Sequence, residues 1–418
     1  MPKRSKPAND ASIGWEFRFP LVVFLWHWLI IQSAVLVSSR VGEANAPSAP
    51  YGRLPDPMPG LAHLLVEPLR NWDGLWYTLI AQTGYVGGTE SAKAAFWPLF
   101  PWLMQAGSTV TGLPPETVGY LIANCSFAIA LIVIYRLVRI DFTDRVARRT
   151  LWAIALFPTA LFFQAVYTES LFLVLAAGAL LFARIDRWWI AGTLAALAAL
   201  TRSYGVLLAL PMLLLLWQQR GSDLRRWWPQ GLAVAMPAIG PALFAWHLQQ
   251  VQGNARAFID VQAQWDRYSA TPWQTLRCAA FGCGFYQESD GASWDRLTAV
   301  LRDPLLLGDP AWRLQIGNSD ILELTCTVLF VVLAVIGLWR LPLWMSAFTL
   351  PGLLIPLFSP SKVHALMSMP RFGIVLFPLF VVLALILRPS WFARVVMVLS
   401  ACLLFFLTVQ FAQWYWVS

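Results

Sequence analysis

"FWPLFPWLMQAGSTVTGL", residues 96–113, decides the topology of the chain. It is apolar and has the length either of a membrane span or of a helix lying flat in the membrane surface. Its downstream flank chooses between the two. "YRLVRIDFTDRVARR" (135–149) carries Arg136, Arg139, Arg145, Arg148 and Arg149. Short loops rich in Lys and Arg stay on the cytoplasmic side. Were 96–113 to cross, that loop would be pushed outside. We therefore read 96–113 as a helix in the outer interface, with Pro98 and Pro101 near its start, where proline is tolerated.

The composition fits such a chain. Of its 418 residues, 58% are hydrophobic and only 12% charged. Soluble domains carry about 25% charge. The 23 Trp residues suit the boundary between hydrocarbon and water. The basic excess sits in short loops between apolar runs. It therefore reads as membrane topology, not as a nucleic-acid footprint. The basic start "MPKRSKPAND" precedes an apolar stretch, and "SSRVGEANA" is a weak cleavage site. The stretch is read as a retained first helix rather than a removed signal.

The fold class expected is an all-α, polytopic membrane protein forming one domain over 1–418. Eleven spans are predicted: 17–38, 116–139, 150–166, 168–185, 188–201, 204–217, 229–250, 319–338, 343–358, 372–388 and 393–414. Lys3, Arg4 and Lys6 keep residues 1–16 cytoplasmic. Arg184, Arg187, Arg220, Arg225, Arg226, Arg340, Arg388 and Arg394 fall on the same side only if 39–115 and 251–318 are both outside. The two outer loops, 39–115 and 253–317, are long, and loops of that length are functional or disordered. Cys125, Cys326 and Cys402 lie in apolar runs and read as small hydrophobes. Cys278 and Cys283, in "CAAFGC", form either a small disulfide or two free thiols.

Within the first outer loop, "LRNWDGLWYTLIAQTGY" (69–85) holds one acid among aromatic and aliphatic residues. Read as a helix over 72–84, it places Trp72, Leu75, Trp76, Leu79 and Ile80 on one apolar stripe. Asp73 and Tyr77, four apart, share another face, and Asn71 is the expected N-cap. Asp73 is then either an ordinary first-turn acid that complements the helix dipole or a proton acceptor at the membrane surface. Other polar residues reach the same outer depth. They are Glu169 in "YTES", Arg202 in "LTRSYG", Lys362, His364 and Arg371 in "SPSKVHALMSMPRF", and Gln264, Trp265 and Arg267 in "AQWDRY". Each has a plain reading as a cap, a snorkelling side chain or a solvated charge. Together, one acid and several cations on one face suit an anionic lipid-phosphate substrate and a proton-abstraction step. No phosphate-binding glycine loop, zinc spacing or nucleophile elbow is present.

These blocks resemble the GPI mannosyltransferase 2 (PIG-V) family and its bacterial relatives. "NWDGLWYTLIAQTGY", "AAFWPLFPWL", "FPTALFFQAVYTESLF", "LTRSYG", "AQWDRYSATPW" and "SMPRFGIVLFPLF" occur in the family's order. The resemblance implies the GT-C architecture of membrane glycosyltransferases, with interfacial helices after the first span. It implies an inverting transfer, usually of mannose, from a polyprenyl-phosphate donor on the extracytoplasmic face. The acid of the first outer loop serves as general base, here Asp73. Glu169 and Arg202 match further polar positions, while their roles and that of Arg371 follow from charge and expected side. No metal or other cofactor is expected when a lipid phosphate leaves. The partners expected are the polyprenyl-phosphate sugar, a lipid or glycan acceptor and membrane lipids, with no nucleic acid. An Ala-, Arg- and Trp-rich chain reads as bacterial, in the plasma membrane, with its N-terminus cytoplasmic. The rival reading is a transporter of a lipid or lipid-linked sugar, which would place its polar groups near the midplane on broken helices.

Overall fold

The computed structural model describes residues 10–40, 56–85, 91–282, 302–303, 319–387 and 390–417. The described residues are helical, apart from connecting turns and one isolated antiparallel bridge between Arg267 and Ser361. Among the described residues, five helices are long and apolar enough to cross a membrane: Phe17–Ser38, Pro115–Asp141, Gln230–Gln252, Asp320–Arg340 and Trp391–Ala412. Each coincides with a predicted span, and the chain is a multi-pass membrane protein. Trp188–Thr201, Leu343–Phe358 and Phe377–Ile386 are apolar but shorter.

Other predicted spans are broken. The 150–166 segment ends its helix at Ala155 and continues through turns and a 3₁₀ turn at Ala160–Phe163. Residues 159–173 are buried without interruption. Irregular backbone at membrane depth is tolerated where protein rather than lipid surrounds it. Hydropathy cannot tell such a run from a helix, because both are uniformly apolar. The 204–217 segment likewise divides into Ser203–Leu208 and Ala209–Arg220, and 372–388 into Met369–Ile374 and Phe377–Ile386.

The 96–113 stretch forms the helix Leu99–Thr111. Its 13 residues span about 20 Å, short of the roughly 30 Å of a hydrocarbon core. Phe100, Pro101 and Met104 are buried, while Leu103 and Val110 are exposed on the other face. Gly112, at φ 71°, ends it in the left-handed conformation.

The Pro115–Asp141 helix packs on Glu169–Arg184, which packs in turn on Trp188–Thr201, and the first helix packs against the last. Phe127 and Phe163 stack at 4.5 Å between centroids, and His27 Nδ1 lies 2.6 Å from Ala155 O. Of the long segment 253–317, the helices Ala257–Asp260 and Pro272–Phe281 and the 3₁₀ turn Val261–Trp265 are described. Cys278 is disulfide-bonded, and Cys283 lies outside the described residues. Cys125, Cys326 and Cys402 are free thiols.

Gly205 sits where the 3₁₀ turn after Arg202 crosses the preceding helix. A Cβ there would lie 2.1 Å from Ala199 N, a backbone atom that cannot swing aside. Gly205→Ala is expected to cost about 1–3 kcal/mol by overpacking. Thermal unfolding of the detergent-solubilised chain should show the loss.

Candidate active site

Asp73 is the first residue of the helix Asp73–Thr83. The turn into it is strained, because Trp72 adopts φ 59° and ψ −118°. Such conformations persist only where the surroundings enforce them. Three contacts do so. The Trp72 ring packs against Trp414 and Trp416, with centroids at 6.0 and 5.0 Å. The Asn71 side chain donates to the carbonyls of Phe411 and Ala412, at 3.0 and 3.3 Å. The Tyr167 hydroxyl donates to Asn71 O at 3.0 Å and accepts from the Asp73 N–H at 3.1 Å. Asn71 is therefore not the N-cap expected from sequence. Tyr167 covers that backbone donor, and Asn71 ties the turn to the last helix.

The helix is also more enclosed than an interfacial stripe requires. Leu75, Trp76 and Ile80 are buried as expected, and so are Gly74, Tyr77, Thr78 and Ala81. Asp73 keeps 18% of its side chain exposed, toward a cavity.

Two guanidinium groups and two carboxylates meet beside it. Arg371 Nη1 donates to Asp73 Oδ2 at 2.6 Å, and Arg371 Nε to Glu169 Oε1 at 3.0 Å. Arg202 Nη1 reaches the same Glu169 oxygen at 2.7 Å, and lies 3.3 Å from Thr168 Oγ1. Glu169 is fully buried at the start of its helix, and Arg371 is buried in the short helix Met369–Ile374. The Arg371 guanidinium lies over the rings of Tyr167 and Phe162, at 4.7 and 5.1 Å from their centroids. Burial works against its charge, but Asp73 and Glu169 outweigh burial, and its pKa stands well above the usual arginine value. Tyr77, 3.4 Å from Thr168 Oγ1, is pushed above its ordinary pKa by burial and then by Glu169 and Asp73. It stays a neutral phenol.

These side chains wall a cavity of about 260 Å³. Asp73, Tyr77, Arg202, Trp265, Arg267 and Arg371, all named from sequence, line it. Arg267 enters from the long segment between Gln230–Gln252 and Ser319–Arg340. There, residues 266–270 run antiparallel to 358–362, through Tyr268 N to Pro360 O at 3.0 Å and Lys362 N to Asp266 O at 2.9 Å. Arg267 Nη1 donates to Ser359 O at 2.7 Å, and burial lowers its pKa. Glu169 stands behind the wall, reaching the cavity through its two arginines. Three guanidinium groups against two carboxylates leave the site with one surplus positive charge.

Besides Glu169, three sequence candidates do not line it. Lys362 is exposed, because Ser361, its neighbour on the paired segment, takes the buried side. Gln264 is exposed, and Gln262 lines the cavity in its place. The 3₁₀ turn Val261–Trp265 repeats every three residues, so Gln262 and Trp265 share a face that Gln264 does not. His364 pairs with Asp320 instead, at 2.8 Å. Sequence reasoning missed Tyr204, Thr168, Gln262 and Trp416 as lining residues and Tyr167 as the clamp. The "YTES" block was the available signal for Tyr167 and Thr168, whereas nothing local marks Trp416 near the end of the chain.

Comparisons with known proteins agree with this architecture. Residues 93–246 match the family described as dolichyl-phosphate-mannose-protein mannosyltransferase. That stretch holds Glu169 and Arg202 but neither Asp73 nor Arg371. The chain is 28% identical over 209 residues to GPI mannosyltransferase 2 of Chaetomium globosum, a match covering 44% of this chain and 44% of the relative. The match thus spans less than half of that curated protein. The crystal structure of ArnT from Cupriavidus metallidurans bound to undecaprenyl phosphate superposes with a TM-score of 0.50 at 14% identity, over 92% of this chain and 62% of ArnT. The sequence resemblance to GPI mannosyltransferase 2 is borne out, and the chain shares the GT-C type of fold.

Glu169→Ala would leave Arg202 without its carboxylate partner and Arg371 with one partner in place of two. Breaking a buried ion pair costs about 3–5 kcal/mol. The variant is expected to melt markedly below wild type, whereas Lys362→Ala should match it.

Proposed function

We propose that the chain is a polyprenyl-phosphate-mannose-dependent mannosyltransferase that inverts the anomeric carbon. The observation that carries this reading is the meeting of Asp73 with Arg371, Arg202 and Arg267 on one cavity. A carboxylate at the wall, held by an arginine through Oδ2, is placed to take a proton from an acceptor hydroxyl. Guanidinium groups suit a phosphate, since their planar fork matches its oxygens.

In the proposed step, the acceptor oxygen attacks the anomeric carbon of the donor sugar. The bond from that carbon to the phosphate oxygen breaks, and the electron pair leaves with the lipid phosphate. The acceptor proton passes to Asp73. Arg371 and Arg202, already oriented by Glu169, stabilise the departing anion, and preorganised charge at a developing anion is a large catalytic term. Arg267 adds its charge from the outer loop. Trp265 and Trp416 line the cavity, and their indole N–H groups have no partner among the described residues. They are suited to donate to sugar hydroxyls. Tyr77, kept neutral, holds Thr168 beside Arg202.

The donor class is supported by what the similar proteins are: the family matched is named for dolichyl-phosphate-mannose, and the ArnT structure holds undecaprenyl phosphate. The acceptor is a lipid- or glycan-borne hydroxyl. The reading places the cavity on the extracytoplasmic face of a bacterial plasma membrane, with the N-terminus cytoplasmic. A carrier of lipid-linked sugars would also bind the phosphate, but it has no need of a carboxylate placed to take a hydroxyl proton.

Asp73→Asn is expected to lower kcat about 10²- to 10⁴-fold, the usual range for a positioned general base, with little change in KM for the donor. Labelled polyprenyl-phosphate mannose and a panel of lipid and glycan acceptors provide the assay. Turnover by Asp73→Asn near the wild-type rate would rule out the assignment. An absence of transfer by wild type to every acceptor, with uptake of the donor into proteoliposomes, would favour carriage instead.

A further inference from the structure

A second cluster of chemistry-bearing side chains lies beside the cavity wall and takes no part in the proposed transfer. Asp320 and Glu323 stand three residues apart at the start of Ser319–Arg340, so they share a helix face. His364 meets them from the loop before Met369–Ile374. One potential ligand atom from each of the three lies within 4.8 Å of the other two. His364 Nδ1 is 2.8 Å from Asp320 Oδ1. Glu323 is fully buried. Its Oε1 accepts from Ser368 N–H at 3.1 Å, and its Oε2 has no hydrogen-bond partner among the described residues. A buried carboxylate oxygen that nothing donates to is costly. A bound cation removes that cost.

We propose that Asp320, Glu323 and His364 bind one divalent transition-metal ion of the Zn²⁺ type. One imidazole nitrogen and two carboxylate oxygens form a donor set that suits zinc with three protein ligands and one further position. Two carboxylates beside a neutral imidazole carry two negative charges, which balance a divalent ion. In a tetrahedral site with bonds of ~2.1 Å, ligand atoms stand roughly 3.4 Å apart, so side-chain rotations of about an ångström close the observed cluster on an ion. The ion takes the place of the proton between His364 and Asp320, and that proton is released.

The site has a structural consequence for the cavity. Ser368, held by Glu323, lines the cavity, and Arg371 follows three residues later. A metal there pins the loop that leads into the helix carrying Arg371 to the Ser319–Arg340 helix. None of the three ligands lines the cavity, so the ion positions a wall and does not touch the reacting atoms. From sequence no metal was expected and no zinc spacing was found, because the three ligands come from segments about forty residues apart, 320–323 and 364.

The test uses full-length protein purified in detergent with EDTA and then equilibrated with micromolar Zn²⁺ alone. Elemental analysis should find about one zinc per chain, with a rise of several degrees in Tm on loading. His364→Gln and Asp320→Asn should each weaken zinc binding about tenfold or more and abolish the rise. His63→Ala, which removes an exposed histidine paired with Glu67, should change neither. The proposal is overturned if wild type takes up no zinc, or if His364→Gln binds it as wild type does. His364 is partly exposed, so this variant remains informative should Asp320→Asn fail to fold. Zinc content and Tm do not depend on sugar transfer, so the metal site and the transferase reading stand or fall separately.

Discussion

One carboxylate oxygen, Glu169 Oε1, accepts from both Arg202 and Arg371, and the candidate site is built on that shared acceptor. Ordinarily two cations resist being brought together in a dry interior. Glu169 makes it possible here, because it is buried between them and Asp73 takes a second donor from Arg371. The arrangement fixes two guanidinium groups on one wall with their charge retained. The elements that carry them are far apart in the chain, so the ion cluster also fastens together the starts of three helices.

The backbone around this cluster explains why some apolar segments are not helices along their whole length. The run 156–168 gives up regular hydrogen bonding and in return delivers Tyr167, Thr168 and Glu169 to the same place. Tyr167 serves twice, capping the Asp73 backbone and offering its ring to Arg371. Irregularity of this kind is paid for by complete enclosure in protein, since lipid offers no hydrogen bonds.

Much of this was legible in the sequence. The long spans follow from apolar runs bounded by arginines, and the short helix at Leu99–Thr111 follows from the charge of the loop after it. Asp73, Glu169, Arg202 and Arg371 were visible as ionisable residues at one depth of an otherwise apolar chain, where charge is expensive. What sequence could not supply was the direction of individual side chains in the long loops. Lys362 and Arg267 looked equivalent as cations. The antiparallel pairing of 266–270 with 358–362 exposes Lys362 and sets Arg267 in the cavity wall, and that pairing joins segments about a hundred residues apart. Gln264 and Gln262 differ only in the period of a short 3₁₀ turn. Asn71 matched a capping pattern, but the strained Trp72 shifted the helix start and released Asn71 to hold the last helix.

The contact between Arg371 and Asp73 gives the resting protein a latch. While the guanidinium rests on Asp73, it occupies the carboxylate oxygen Oδ2 as a hydrogen-bond donor. If the cavity takes a lipid phosphate as proposed, that phosphate competes for the same guanidinium and loosens the latch. On the proposed reading, the order of events is then written into the ion pair: the donor must dock before the acceptor can be activated, and wasteful hydrolysis of the lipid-linked sugar is held back.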